Sequence, residues 1–327
     1  MNKIDCMGIY NKVSNDIRTD ISNMGVSPTL NIYRGIDDYA SNKYIQLKKI
    51  TGDEVGINVN ICDVKTSQPS WKYGSIATAI ENNINLFNGL YIAQLPMEKE
   101  DMDLMLEYGS YDIDYIMHPC DTISSIFYNS TYGIGLPATV KAIVAVINQE
   151  FPQGISGKKV AVVGCRSKTV GVYLHPLLTN MNATVTTYHS KSIINDGEFE
   201  DCDIVISTVG SCGGIQQRHF GNKEGCVCID VGVSKDKDNK TIGDFNMDIR
   251  DKQRYTPYVN GIGLLTRIFL MQSVVFEFVI SNIEYIGDDC KWESSRHSLR
   301  DVYAKRKGFD NWNSFQRHIS SSRGQYL

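Results

Sequence analysis

Short apolar segments rich in β-branched residues alternate along this chain with stretches of helical composition, and that alternation limits the fold more than any single motif. Leu30 to Arg34 (LNIYR) reads as a strand, followed by Gly35 and a helix from Asp38 to Ile50. Gly56 to Cys62 (GINVNIC) alternates as a strand does, Lys72 to Asn85 reads as a helix, and Gly89 to Leu95 (GLYIAQL) is a strand that stops at Pro96. A short acidic helix is expected near Glu100 to Tyr108. After Pro137 the pattern restarts, with a helix at Ala138 to Gln149 and the buried-strand run Lys159 to Val163 (KVAVV). Further strands are expected at Ala183 to Tyr188, Asp203 to Val209 and Cys226 to Val231, and a long apolar helix from Leu264 to Ile283. Strands joined by crossover helices build parallel sheets. The fold class is therefore α/β, with two parallel-sheet domains, the second a Rossmann-like doubly wound one, and a cleft between them where ligand sites form. The expected division is 1–137 plus 264–287 for the first domain, 138–263 for the second, and an extra tail at 288–327.

Composition removes several classes of function. Of the 327 residues, 42% are hydrophobic and 21% charged, which excludes a wholly disordered chain. The net charge of −4 gives no electrostatic reason to expect nucleic acid as a partner. The longest apolar stretch, Ile268 to Ile280, is too short for a membrane span and holds Gln272 and Glu277. The N-terminus lacks the apolar core of a signal peptide, and nine cysteines without a C-x-x-C pair indicate reduced thiols, a cytoplasmic setting and no metal site. Cys226 and Cys228 are expected on opposite faces of their strand. The tail carries aromatics (Trp292, Tyr303, Phe309, Trp312, Phe315) and the run Lys305-Arg306-Lys307, which suits either a packed helical appendage or a docking segment for an anionic partner.

Gly164 directly follows KVAVV, and Cys165, Arg166, Ser167 and Lys168 lead to a helix expected to start at Gly171. A glycine lets the chain turn sharply off a strand, and the N-terminus of a helix offers N–H groups to phosphate. Alone this reads equally as a tight strand-to-helix turn. The next strand decides, because it ends in His189, Ser190, Lys191 and Ser192 with no carboxylate to hold a ribose 2′-hydroxyl. Arg166, Ser190 and Lys191 can hold a 2′-phosphate instead, so the expected cofactor is NADP rather than NAD. In the first domain, Ser41, Tyr44 and Lys48 share one face of a helix. A lysine beside a tyrosine in a partly dry cleft can exchange protons, although an isolated Y-x-x-x-K is more often a surface pair. Gln94 ends a buried-looking strand, and Asp112 and Asp114 flank Ile113.

These segments, in this order, resemble the bifunctional methylenetetrahydrofolate dehydrogenase/methenyltetrahydrofolate cyclohydrolase family over about residues 20–285. The block from Ser27 to Ile57 is similar to the family's strand–helix block, with S-x-x-Y-x-x-x-K at Ser41, Tyr44 and Lys48. GLYIAQLPM resembles G-x-x-V-Q-L-P-L and places its glutamine at Gln94, and YDIDY resembles K-D-V-D-G and places its aspartate at Asp114. GLPATVKAI resembles the P-C-T-P-x-G-V hinge, keeping Pro137 and Thr139. GKKVAVVGCRSKTVG resembles G-K-x-V-x-V-V-G-R-S-x-x-V-G with Cys165 as one extra residue, and TPYVNGIGLLT stands where the family has V-P-G-G-V-G-P-M-T.

The resemblance implies oxidation of 5,10-methylenetetrahydrofolate with NADP and hydrolysis of the methenyl product to 10-formyltetrahydrofolate. That chemistry belongs to the one-carbon metabolism that feeds purine biosynthesis. It implies Lys48 as the proton-transfer group, Gln94 positioning it, and Tyr44 and Asp114 holding the folate with Gly261 and Thr266 of the altered loop. Gly164, Arg166, Ser167, Gly171, Ser190 and Lys191 would then hold the cofactor, and the protein would be a homodimer. The departures are Val140 for a proline, Tyr111 and Tyr115 flanking D-I-D, a proline and a glycine lost near Asn260, and the inserted Cys165. Three other readings stay open: a monofunctional dehydrogenase, a two-domain dehydrogenase of the shikimate or amino-acid type, and a non-catalytic folate- or nucleotide-binding relative.

Overall fold

A computed structural model describes residues 2–34, 39–63, 89–94, 136–167, 170–235, 237 and 240–285. The helices expected at 72–85 and 100–108, the residues Asp112, Asp114 and Lys168, and the tail 288–327 lie outside them. The chain groups into two compact units: Asn15–Met117 with Met271–Leu327, and Met1–Ser14 with His118–Leu270.

Helix α1 (Cys6–Met24) opens the chain, and its residues from Asn15 onward belong to the first of these units. That unit holds strand β1 (Thr29–Arg34), helix α2 (Tyr39–Val55), and strands β2 (Asn58–Asp63) and β3 (Gly89–Gln94). The three strands form a parallel sheet in the order β2-β1-β3. Thr29 pairs with both Asn58 and Gly89, so Arg34 stands level with Asp63 and Gln94 at the C-terminal edge. In the central strand Leu30 and Ile32 are fully buried, and Asn31 accepts a hydrogen bond from Asn60 Nδ2 at 3.0 Å, so its buried amide is not left without a partner. On α2 the buried positions Ile45, Lys48, Thr51 and Val55 recur at three- and four-residue spacing, which is the stripe a helix presents to a sheet.

The other unit holds helix α3 (Ala138–Glu150), strand β4 (Lys159–Val163), helix α4 (Gly171–Asn180), and strands β5 (Thr184–Tyr188), β6 (Ile204–Ser207) and β7 (Val227–Asp230). An antiparallel hairpin of β8 (Val233–Lys235) and β9 (Thr241–Gly243) and the short strand β10 (Arg254–Tyr255) follow. The main sheet is parallel throughout, in the order β10-β7-β6-β4-β5. Its sequence follows its position: β4 and β6, inside the sheet, are almost wholly apolar, whereas the edge strand β5 is TVTTY and half exposed. Residues 2–4 extend the sheet past β10, since Ile4 N–H donates to Tyr255 O at 2.8 Å and Tyr255 N–H to Asn2 O at 2.9 Å. Arg254 then forks onto the buried Glu150 carboxylate, with Nε at 2.5 Å from Oε2 and Nη2 at 2.6 Å from Oε1.

One face of this sheet packs a cluster of Ala161, Val163, Phe199, Val205, Phe220, Cys226 and Cys228. Cys226 and Cys228 therefore share a face. The expectation of opposite faces was mistaken, because residues two apart in a strand point the same way. Cys6, Cys165, Cys202, Cys212, Cys226 and Cys228 are free thiols. Helix α5 (Ile262–Tyr285) closes the described chain, with its residues through Leu270 in the one unit and those from Met271 in the other.

Candidate functional site

In the larger sheet β4 and β6 are neighbours although β5 lies between them in sequence, so the chain leaves β4 toward one edge and returns toward the other. Doubly wound sheets bind ligands at such a reversal, beyond the carboxyl ends of the strands. A cavity of about 540 Å³ lies there, lined by Gly164 and Arg166 after β4, by His189 and Ser190 after β5, and by Ser207 and Thr208 at the end of β6. Ser167, Ser192, Ser211 and Gly214 complete its polar lining.

The turn off β4 needs its glycines. Gly164 has φ +91°, and a β-carbon there would stand 2.6 Å from Thr208 Oγ1 and 3.0 Å from the Thr208 carbonyl carbon. A β-carbon at Gly171, the first residue of α4, would stand 2.3 Å from Gly164 O, so the helix can start this close to the turn only without a side chain. Ser167 N–H donates to Gly164 O at 2.9 Å and Val172 N–H to Ser167 O at 3.1 Å, which closes the loop despite the inserted Cys165. After β5, His189 N–H donates to Ser192 Oγ at 3.0 Å, folding the segment that presents Ser190 to the cavity.

Of the six residues expected around the cofactor, Gly164, Arg166, Ser167 and Ser190 line this cavity. Gly171 is buried behind the turn and acts by permitting it, and Lys191 is exposed outside the lining. No carboxylate lines the cavity among the described residues. These features fit a dinucleotide carrying a 2′-phosphate: a guanidinium and hydroxyls on one wall, and a glycine turn beneath. The wall after β6 (Ser207, Thr208, Ser211), together with Asp244 behind it, went unnoticed in the sequence. The run S-T-V-G-S at the carboxyl end of a third parallel strand was the signal available.

In the smaller sheet's unit, Lys48 is fully buried, and its Nζ sits 4.8 Å from the centroid of the Tyr44 ring, a cation–π approach across one helical turn. Gln94 ends β3, level with Arg34, and Asp114 lies outside the described residues. Ahead of α5, Asn260 takes φ +59°, so the asparagine does adopt the left-handed turn where the family motif has a glycine. Gly261 is confined too, since a β-carbon would come 1.7 Å from Pro257 O. Thr266 is buried, and its Oγ1 donates to Thr139 Oγ1 at 3.2 Å, joining α5 to α3. Among the described residues no group of acidic, histidine or cysteine side chains is arranged to hold a metal, and no helix is long and apolar enough to cross a membrane.

Comparison with known proteins adds three findings. The family model described as tetrahydrofolate dehydrogenase/cyclohydrolase, NAD(P)-binding domain, matches residues 137–281. The protein named Bifunctional protein FolD from Ligilactobacillus salivarius is 30% identical over 276 residues, covering 80% of this chain and 93% of its own. That of Rickettsia massiliae is 31% identical over 288 residues, covering 85% and 96%. Among solved structures, the Trypanosoma brucei methylenetetrahydrofolate dehydrogenase-cyclohydrolase complexed with NADP and an inhibitor superposes with a TM-score of 0.72 at 21% identity, over 86% of this chain and 98% of that one. The bifunctional enzyme of Thermoplasma acidophilum gives 0.71 at 23% identity, over 85% and 98%. At these identities the superpositions speak for the fold.

Proposed function

We propose a chemistry from one premise: the chain belongs to the bifunctional tetrahydrofolate dehydrogenase/cyclohydrolase family. It oxidises 5,10-methylenetetrahydrofolate to the 5,10-methenyl cation with NADP and hydrolyses that cation to 10-formyltetrahydrofolate. The observation that carries the reading beyond family membership is the full burial of Lys48 with its ammonium over Tyr44. A lysine is rarely taken wholly out of water, and doing so costs several kcal/mol, to order of magnitude, unless the site uses or compensates the charge.

NADP, when bound, supplies hydride acceptance, and Arg166, Ser167 and Ser190 would hold it against the Gly164 turn. Removing hydride leaves a resonance-stabilised cation, so the first step asks the protein for orientation rather than for a base. Hydrolysis asks for more. Water adds to the cationic carbon and loses a proton, and a ring nitrogen must gain one as the adduct opens. Lys48 Nζ carries these protons in our reading, with Gln94 positioning it. Tyr44, Gly261 and Thr266 contact the folate, and the Asp114 carboxylate accepts hydrogen bonds from the pterin's amino edge. The folate-binding part is 1–137 plus 264–287 and the cofactor domain 138–263. A cytoplasmic homodimer without nucleic-acid or membrane partners, serving the one-carbon supply to purine synthesis, completes the proposal.

A spectrophotometric assay tests it. The protein with methylenetetrahydrofolate and NADP should produce reduced cofactor, and with methenyltetrahydrofolate alone it should bleach the methenyl chromophore. Cofactor reduction without bleaching would leave only the dehydrogenase, and neither signal would leave only a binding protein.

A further inference from the structure

We propose that Asp244, outside the cavity, is a positioning residue for the dinucleotide: its buried carboxylate pre-sets the 207–211 wall against which the cofactor lies. The inference rests on the cofactor reading above and deepens it. Asp244 has no exposed surface, and three donors converge on its carboxylate. Ser207 Oγ donates to Oδ2 at 2.7 Å, Val209 N–H to Oδ2 at 2.9 Å, and Ser211 N–H to Oδ1 at 2.6 Å. All three belong to the segment that leaves β6 and lines the cavity. Such a segment would otherwise expose unpaired N–H groups to a ligand or to water, and a buried carboxylate with good donors fixes their direction strongly.

The wall is tied to the other side of the cavity as well. Thr208 Oγ1 donates to Gly164 O at 2.8 Å, so the segment that Asp244 holds also clamps the turn that carries Arg166. Asp244 is itself placed by its backbone: its N–H donates to Asp230 Oδ1 at 2.9 Å, and its carbonyl accepts from Ile215 N–H at 3.0 Å. Space around it is restricted. A β-carbon at Gly232 would come 2.1 Å from Asp244 Oδ2, and one at Gly243 would come 1.9 Å from Asp230 Oδ2. Both glycines leave room for carboxylates, which a purely apolar core would not require.

The test uses the full-length protein and three measurements: NADP binding by calorimetry, the KM for NADP in the dehydrogenase assay, and cofactor-independent hydrolysis of methenyltetrahydrofolate. Asp244→Asn keeps the shape but turns an NH2 group toward one set of donors. Its dissociation constant and KM for NADP should rise by about tenfold or more, the worth of one lost charge-assisted bond. Methenyl hydrolysis and the KM for the folate should stay within about twofold, given a fold that is otherwise retained. A defect of packing alone would lower hydrolysis and cofactor use together. Ser207→Ala removes a single donor and covers the case in which Asp244→Asn does not fold; its NADP affinity should fall by a smaller factor, of order threefold to fivefold. Wild-type NADP affinity in Ser207→Ala, or equal loss of both activities in Asp244→Asn, overturns the proposal. A wild-type protein that binds no NADP overturns instead the cofactor reading on which it stands.

Discussion

Lys48 is the residue at which pattern and environment diverge most. The spacing Ser41, Tyr44, Lys48 is one any surface helix can show, and in sequence it reads as an exposed pair. The structure puts Lys48 on the same stripe as Ile45 and Val55, under the sheet side of α2. Periodicity counts apolar residues, so a polar residue on the apolar stripe is invisible to it; the spacing from Ser41 and Tyr44 made this one a candidate, and the family's motif favoured it over a surface pair. Lys48→Met keeps most of the side chain's volume and removes its ability to carry a proton. It should reduce methenyl hydrolysis by at least about a hundredfold, within the range for lost acid–base catalysis, while folate affinity changes by only a few-fold. Hydrolysis at the wild-type rate would release Lys48 from its role. Arg166 offers the matching test in the cofactor domain, because it lines the cavity and remains exposed. Arg166→Ala should raise the KM for NADP about tenfold to a hundredfold, as expected for a lost charge-assisted contact, and the KM for NAD far less. Equal rises with the two cofactors would mean that its guanidinium serves the shared diphosphate.

Strands were more legible than helices or short pairings, for a physical reason. A parallel strand buried on both faces leaves a continuous apolar run, and KVAVV, DIVIS and CVCID each carry that mark. Helix α1 escaped notice because its nineteen residues mix Asn, Asp, Lys and Ser with isolated apolar positions, and its buried stripe (Cys6, Tyr10, Val13, Ser14, Ile17 and Met24, with Ile4 before it) is itself broken by a serine. The β8–β9 hairpin and the two-residue β10 are shorter than any periodicity can reveal. Residues 1–14 group with the larger sheet, with Lys3 bridged to Tyr255 and Asn2 Nδ2 donating to Arg250 O and Asp251 O, and sequence spacing announces none of these ties. Between α2 and β2 the packing makes a prediction of its own. Gly52 lies in α2, and a β-carbon there would stand 2.4 Å from Val59 Cγ2 and 3.1 Å from Ile57 O. In an open helix, glycine to alanine gains about 1 kcal/mol. Here the β-branched Val59 cannot swing away easily, and overpacking costs about 1–3 kcal/mol. Gly52→Ala should therefore lower the denaturation midpoint, read by urea titration followed by circular dichroism. A raised midpoint would show that helix propensity wins and that the contact relaxes freely.

Across the whole molecule, the paired carboxylates behind the cavity wall link cofactor geometry to pH. Burial pushes Asp230 up to about 7 from the ordinary 3.8. The N–H groups of Asp244 and Phe245 and the Arg250 charge oppose that rise, and the neighbouring Asp244 carboxylate adds to it. With the folded value above the unfolded one, the unfolded chain gives up its proton first as pH rises. Stability from this group is complete below the unfolded value near 4, falls as pH climbs, and is fully lost above about 7. The whole effect is bounded by about 4 kcal/mol, at roughly 1.4 kcal/mol per unit. Most surface carboxylates finish titrating below pH 5. His219, held low chiefly by burial and then by the Arg218 charge, works in the opposite sense, gaining stability as pH rises toward its unfolded value of 6.5. A single pH profile therefore mixes the two, whereas the difference between wild type and Asp230→Asn isolates the aspartate. An amide cannot ionise, so the variant's unfolding free energy should fall less between pH 5 and pH 8 than the wild type's, with the two curves converging or crossing toward the alkaline end. Parallel curves would mean that Asp230 is already ionised in the folded protein at pH 5. The carboxylate would then be stabilised by its two N–H donors and Arg250 more than it is penalised by burial, and the tie from Asp230 to Asp244 would carry full charge throughout the range.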